Sequence, residues 1–279
     1  VWDDHEFTND TWRLGAENHN SGEGDFAARI NAARMAYHEW MPIRTPEIGD
    51  QGQIYRAFEI GNLADLIMLD TRQVGRDEQL DYGKDIEEAG SIDLFLKTKL
   101  NAPDRQLLGT KQENWLANQL MASYQRGAIW QVLGQQVLMG KLFFPAFPPE
   151  DFENLILSDE VKSVIDRSNK LTALGMPLNL DAWDGYPSAR ERLFNMLLTR
   201  SNNPISLAGD THNGWAFNLA NEAGQAVGVE FGTPGVTSPG LETYIPISPD
   251  KMFSILKEVS PELSYADTSK RGWTKVILT

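Results

Sequence analysis

Three observations predict an α/β fold. Short apolar strands alternate with amphipathic helices, polar residues gather at strand ends, and no repeat or low-complexity linker divides the chain. At 279 residues a sizeable core is accessible, and residues 1–279 read as a single domain.

The chain opens Val1-Trp2-Asp3-Asp4-His5-Glu6-Phe7-Thr8-Asn9, an apolar pair running into carboxylates around a histidine. It reads as a strand ending in a loop that gathers acid, base and metal-ligand chemistry. Val1 then falls in mid-strand, so the chain is expected to be part of a longer polypeptide whose targeting signal lies upstream. Residues 11–25 are rich in Gly, Asn, Ser and Glu and read as a loop.

Phe26, Ile30, Ala33 and Tyr37 recur at helical spacing and predict a helix to Trp40, capped by Asp25 and stopped before Pro42. His38 on it reads as an ordinary packed or solvated side chain. Gln53–Ile60 alternates like a strand, Gly61-Asn62 turns, and Leu63–Leu69 returns as a largely apolar strand. Asp70-Thr71-Arg72 at its end is either a functional polar terminus or a structural clamp. Residues 75–105 are charged and irregular, as expected of a surface insertion.

Thr110–Arg126 predicts an amphipathic helix, with Thr110 and Glu113 as a capping box and Trp115, Leu116, Leu120 and Tyr124 as its buried stripe. Ile129–Leu133 is a strand ending in Gly134-Gln135-Gln136, whose amides either orient a ligand or satisfy backbone groups. Phe143–Pro149 is a loop that buries its aromatics or walls a pocket, and Asp181–Pro187 is a second aromatic loop before a helix over Ala189–Thr199. Pro204–Ala208 is a buried strand running into Gly209-Asp210-Thr211-His212. Trp215–Leu219 and Ala226–Phe231 pair around a turn at Asn221–Gly224. The turn-rich residues 233–240, a helix over Met252–Val259 and a closing strand, Trp273–Leu278, complete the reading.

Composition narrows the function. A formal charge of −14 argues against double-stranded nucleic acid or an anionic membrane surface as a partner, though not against a phosphorylated substrate held through cations. The absence of cysteine removes disulfides and thiolate metal sites. No apolar run is long enough for a membrane span. His5-Glu6 lacks the second histidine four residues on that a helical zinc-protease motif needs, since position 9 is Asn. Gly-x-Ser-x-Gly, a phosphate-binding P-loop and a dinucleotide fingerprint are all missing.

Two motifs carry chemistry: Asp3-Asp4-His5-Glu6 and Asp210-Thr211-His212. Each sets a hard oxygen ligand beside an imidazole, a combination that suits iron, manganese, zinc or calcium. With an extended backbone, Asp210 and His212 would point to the same side and clasp one metal or bridge two.

The residues Trp2-Asp-Asp-His-Glu6 with Asn9, Met41-Pro-Ile-Arg44, Leu69-Asp-Thr-Arg72, Trp130-Gln-Val-Leu-Gly-Gln-Gln-Val137, Trp183-Asp-Gly-Tyr-Pro187 and Leu207-Ala-Gly-Asp-Thr-His212 together resemble the alkaline phosphatase D (PhoD-like) metallophosphatases. The resemblance runs in order along almost the whole chain. It implies a calcineurin-like core: two mixed β-sheets packed face to face and flanked by helices, a four-layer αββα arrangement. It further implies an exported enzyme, periplasmic or secreted, that hydrolyses phosphate mono- and diesters with iron and calcium, zinc or manganese being alternatives. In that chemistry paired cations acidify a bound water, and the resulting metal-bound hydroxide attacks phosphorus.

On this resemblance Asp4, with Asp3 as the alternative, Asp210 and His212 are metal ligands. His5 is the catalytic histidine, and Asn9 is a catalytic or phosphate-contacting residue. Trp183 and Tyr186 shape the substrate pocket. Earlier family ligands are missing, so an N-terminal fragment of the same polypeptide is expected to complete the fold and the metal site. Competing readings are a phosphotriesterase or phospholipase-like hydrolase on the same fold, and a non-catalytic metal-binding relic.

Overall fold

The structure, a computed structural model, describes residues 1–46, 50–153 and 156–279. Its seven strands are β1 (Arg56–Ile60), β2 (Ala64–Met68), β3 (Trp130–Gly134), β4 (Pro204–Ala208), β5 (Gly214–Ala220), β6 (Ala226–Gly232) and β7 (Leu263–Asp267). They form one mixed sheet in the order β1-β2-β3-β4-β6-β5-β7. The β1–β2 hairpin is antiparallel, β2, β3, β4 and β6 run parallel, and β5 is antiparallel to both β6 and β7. This is the mixed α/β class that the alternating pattern predicts. The described residues contain this single sheet, because the Arg56–Met68 hairpin extends it rather than starting another.

Parallel neighbours need crossovers; helices supply them between β2, β3 and β4, and β5 connects β4 to β6. Between β2 and β3 lie α2 (Tyr82–Ala89), α3 (Ile92–Phe95), a π-turn (Leu96–Leu100) and α4 (Gly109–Arg126). Between β3 and β4 lie α5 (Asp159–Thr172) and α6 (Pro187–Arg200). α7 (Pro249–Val259) packs on β7, and α4 packs on α6. The main core draws Ile67, Leu69 and Leu133 from the parallel strands and their ends, and Leu116, Leu120, Leu193 and Leu197 from these helices.

α1 (Phe26–Trp40) has the predicted bounds, and the Asp25 side chain accepts from the Ala27 N–H at 2.7 Å. Other expectations need correcting. The opening residues are not a strand. Phe7 and Thr8 N–H both donate to the Asp4 carbonyl, winding the chain into turns, while Trp2 packs on Phe7 and Tyr37 in a satellite core. Residues 75–105 hold two helices and a π-turn, with Tyr82, Phe95 and Leu100 buried in a second satellite core. α5 lies where no element was predicted, and Ser158 caps it.

α4 has no capping box: Leu108 stands at its N-cap without a side-chain bond, and Glu113 pairs with Arg192 at 3.0 Å instead. The helix starts instead where Gly109, at φ 75°, meets Gly75 so closely that a Cβ on Gly75 would lie 2.3 Å from the Gly109 Cα. Residues 273–278 pair with nothing in the sheet, and Trp273 is 76% exposed. The last strand is Leu263–Asp267, which already fills the edge beside β5.

Candidate metal centre

The parallel strands β2, β3 and β4 end side by side and in register, and open α/β sheets place ligands at the carboxyl ends of such strands. β2 continues into Asp70-Thr71-Arg72, β3 into Gln135-Gln136, and β4 into Gly209-Asp210. Each continuation is pinned. Gln112 from α4 accepts the Asp70 N–H at 2.8 Å and donates to the Asp70 carbonyl at 2.7 Å. The Gln135 N–H bonds the Leu207 carbonyl, and the Gly209 N–H bonds the Gln136 carbonyl, so the two ends stay laddered past the sheet.

Gln136 is the hub. Its Nε2 lies 3.0 Å from Asp4 Oδ1 and 2.9 Å from Asp210 Oδ1, and also bonds Asp3 Oδ1. Its Oε1 accepts from Arg72 Nε, which fixes the amide's orientation because a guanidinium only donates. Arg72 in turn grips Asp181 bidentately at 2.7 and 2.6 Å and stands 3.7 Å from Asp210 Oδ1. Arg76, also wholly buried, donates to the same Asp181 carboxylate. The Asp70-Thr71-Arg72 terminus therefore acts as a clamp, tying Asp181 and Gln136 to the end of β2.

Burial and crowding of like charges set the electrostatics. Burial first, then Asp181, Asp4 and Asp3, push the Asp210 carboxyl up to about 8 against the pull of Arg72. Burial and then Asp4 raise Asp3 in the same way, and burial and then Asp181 take Asp10 to about 6. Burial also acts on Asp181, but Arg76 and Arg72 outweigh it and hold this carboxyl below its usual value.

The backbone is strained at the same place. Among the described residues, the positive-φ non-glycine positions are Asp10 (48°), Asp210 (67°) and His212 (59°), all at or beside the cluster. Thr211 N–H bonds the Gly209 carbonyl at 2.8 Å across Asp210, making a tight γ-turn.

That turn corrects the extended Asp210–Thr211–His212 reading. Asp210 joins Asp3 and Asp4, whereas His212 turns outward and is exposed. The His212 Nδ1 lies 3.0 Å from the Pro239 carbonyl, which can only accept, so Nδ1 is the donor in this contact. His5 is 69% exposed, with Nε2 3.7 Å from Asp4 Oδ2 at the rim of the cluster. Asn9 donates to Glu17 rather than into the centre. Trp183 and Tyr186 are wholly buried: Trp183 Nε1 donates to Gln135 Oε1, and Tyr186 OH donates to the Asp77 carbonyl beneath Arg76 and Arg105. These rings support the site from inside the core and offer no face to a ligand.

Sequence reasoning assigned no role to Arg76, Asp181 and Asp10, and saw in Gln136 only an amide of uncertain use. One signal for Asp181 was its place at the head of the aromatic loop.

Oxygens of Asp3, Asp4 and Asp210 lie within 4.8 Å of one another. The Gln136 amide owns two hydrogens for three carboxylate acceptors in a crowded, half-buried cluster. An all-oxygen set of three crowded carboxylates fits a hard cation. The residues present therefore fit a metal, with Asp3, Asp4 and Asp210 to hold it.

Two cavities lie near the cluster. One of about 430 Å³ is polar, lined by Asp10, Glu17, Gln79, Tyr82, Arg167 and Asp181 among others. The other, of about 290 Å³, lies on the Asp210 side and is mainly apolar.

A profile of the PhoD-like phosphatase family matches residues 1–279. Over 286 residues the chain is 32% identical to alkaline phosphatase D of Bacillus subtilis (strain 168), covering all of this chain and 42% of that protein. A solved structure of PhoD is similar at a TM-score of 0.69 and 29% identity, over 98% of this chain and 45% of that one. The chain thus spans less than half the length of the relatives it matches.

Proposed function

Because the chain belongs to the PhoD-like phosphatase family, we propose that it hydrolyses phosphate esters at the Asp3–Asp4–Asp210 cluster. The observation that carries this reading is the convergence of the three carboxylates on one amide, at the carboxyl ends of parallel strands and with His5 at the rim. Bound cations would supply an acidified water and a clamp for the phosphoryl oxygens. The chain's own residues do the rest. Gln136 and Arg72 hold the carboxylates in one geometry, so little reorganisation is needed during reaction. His5, exposed beside Asp4, is placed to give a proton to the departing alkoxide oxygen. His212, two residues after Asp210, is proposed as a further metal ligand through Nε2, since Nδ1 is engaged by the Pro239 carbonyl.

We extend the proposal to phosphate mono- and diesters as substrates and to iron with calcium as the metals, zinc or manganese being alternatives. It also includes an exported protein with the four-layer αββα arrangement. Among the described residues no helix is long and apolar enough to cross a membrane. Three carboxylates supply only part of the roughly six to eight oxygens that one calcium takes, so waters or substrate oxygens would complete its shell.

The test combines elemental analysis of the purified protein with turnover of p-nitrophenyl phosphate and bis-p-nitrophenyl phosphate. Asp210→Asn is expected to lower bound metal and turnover together, turnover by about a hundredfold or more. Metal-free protein that turns over both substrates at full rate sinks the proposal.

A further inference from the structure

The cavity on the Asp210 side does not resemble a phosphate site. Leu138, Leu142, Ala182 and Trp215 line its buried part, while Leu178, Leu241 and Thr211 are half-buried at its mouth beside Asp210. Asp210 apart, most of its polar groups are already engaged, and Asn179 Oδ1 accepts the Asp181 N–H. Asp184 pairs with Arg190 and accepts the Leu142 N–H, the Asn213 amide is bound to the Thr211 and Leu241 backbone, and Trp215 Nε1 donates to Thr211 Oγ1. An ordered water needs two or more free polar partners, and these walls offer few, so the space favours an apolar occupant.

Its volume of about 290 Å³ is roughly twice that of a cavity that holds benzene. A substituted ring or a chain of several methylenes would therefore fit. The neighbouring cavity, with Asp10, Glu17, Asp181 and Arg167 in its wall, is polar, and the two share Leu178 and Asn179. Only the apolar one touches the cluster, at Asp210.

We propose that this cavity is a specificity subsite for the organic group of an amphiphilic phosphate ester, an alkyl or aryl moiety that enters past Leu241 while the phosphoryl group lies at Asp210. The inference rests on the phosphoester reading of the cluster, and its test is built to separate the two.

The probes are n-alkylphosphonates from methyl to hexyl, which bind without being hydrolysed, titrated calorimetrically into the metal-loaded protein. Affinity is expected to rise about fourfold per methylene until the cavity is full. Leu241→Trp, which plugs the mouth, is expected to flatten that series while leaving methylphosphonate binding unchanged. Leu241→Asn, which wets the mouth without filling it, should weaken the longer members if the plugged variant fails to fold. A flat series in the parent protein overturns the subsite, as does a rising series that both folded variants leave intact. Turnover of p-nitrophenyl phosphate is read separately. Its absence beside a rising series condemns the phosphoesterase reading and leaves an apolar-anion pocket standing.

Discussion

Gln136 serves three carboxylates with one amide, so its truncation releases all of them at once. Gln136→Ala is expected to weaken cation binding about 10- to 100-fold, the usual effect of removing a group that orients ligands, and calorimetric titration reads it directly. His5→Ala should lower turnover about 10²- to 10⁴-fold with metal content unchanged. An unaltered rate would remove His5 from the mechanism.

Glu230 works deeper, accepting from the Met139 and Gly140 N–H groups, Ser206 Oγ and Gln135 Nε2, and so fixing the stretch that carries Gln136. Burial outweighs these bonds and pushes its carboxyl up to about 7. The folded state then holds this proton more tightly than the unfolded chain. Its contribution to stability is full below the ordinary glutamate value of 4.5 and is lost as pH rises through about 7. Denaturation midpoints should fall across that window, and Glu230→Gln should remove this part of the slope.

At the level of elements, α4 gives a clean contrast. Gly109→Ala should cost about 1–3 kcal/mol, because it drives a methyl towards the Gly75 backbone at a positive φ. Thr110→Ala at the exposed next position should stay within about 0.5 kcal/mol, where a capping box would have lost about 1 kcal/mol. Urea unfolding separates the two outcomes.

The same helix shows what was legible in the sequence. Its periodicity places it within a residue, but its start depends on Gly75, distant in sequence and unreadable from local propensity. β2, β3 and β4 were readable because apolar runs end abruptly in polar residues, and Asp4 and Asp210 because a carboxylate beside a histidine is chemically distinctive. The Arg72–Asp181 pair was not, since nothing local links residues 109 positions apart. Trp183 and Tyr186 misled because loop aromatics look available, whereas these fill the core behind Gln135 and Arg76. Trp273–Leu278 misled because alternation marks a strand only if a partner edge is open, and β7 had taken it.

For the molecule as a whole, a formal charge of −14 is joined by a local excess of acid where Asp3, Asp4, Asp10, Asp181 and Asp210 meet Arg72 and Arg76. A hard cation that binds only the folded state should raise the thermal midpoint. The gain is about 2.7 kcal/mol at a hundred times the dissociation constant, and Asp210→Asn should abolish it in the same melting scan.

The opening segment has a dynamic consequence. Residues 3–18 share no ladder with the sheet. They are tied down by the Gln136 amide, the adjacent buried Trp2 ring, and bonds from Arg72 to the Thr11 carbonyl, from Gln79 to the Asp10 carbonyl and from the Arg13 N–H to the Arg76 carbonyl. Such a flap opens by itself, far below the free energy of global unfolding, unless something across from it holds it shut. A cation joining Asp3 and Asp4 to Asp210 would be that latch. Amide deuterium exchange is therefore expected to slow with added metal across residues 3–18 and to stay unchanged in β3 and β4. Uniform slowing of the whole sheet would mean that the segment and the sheet open as one unit.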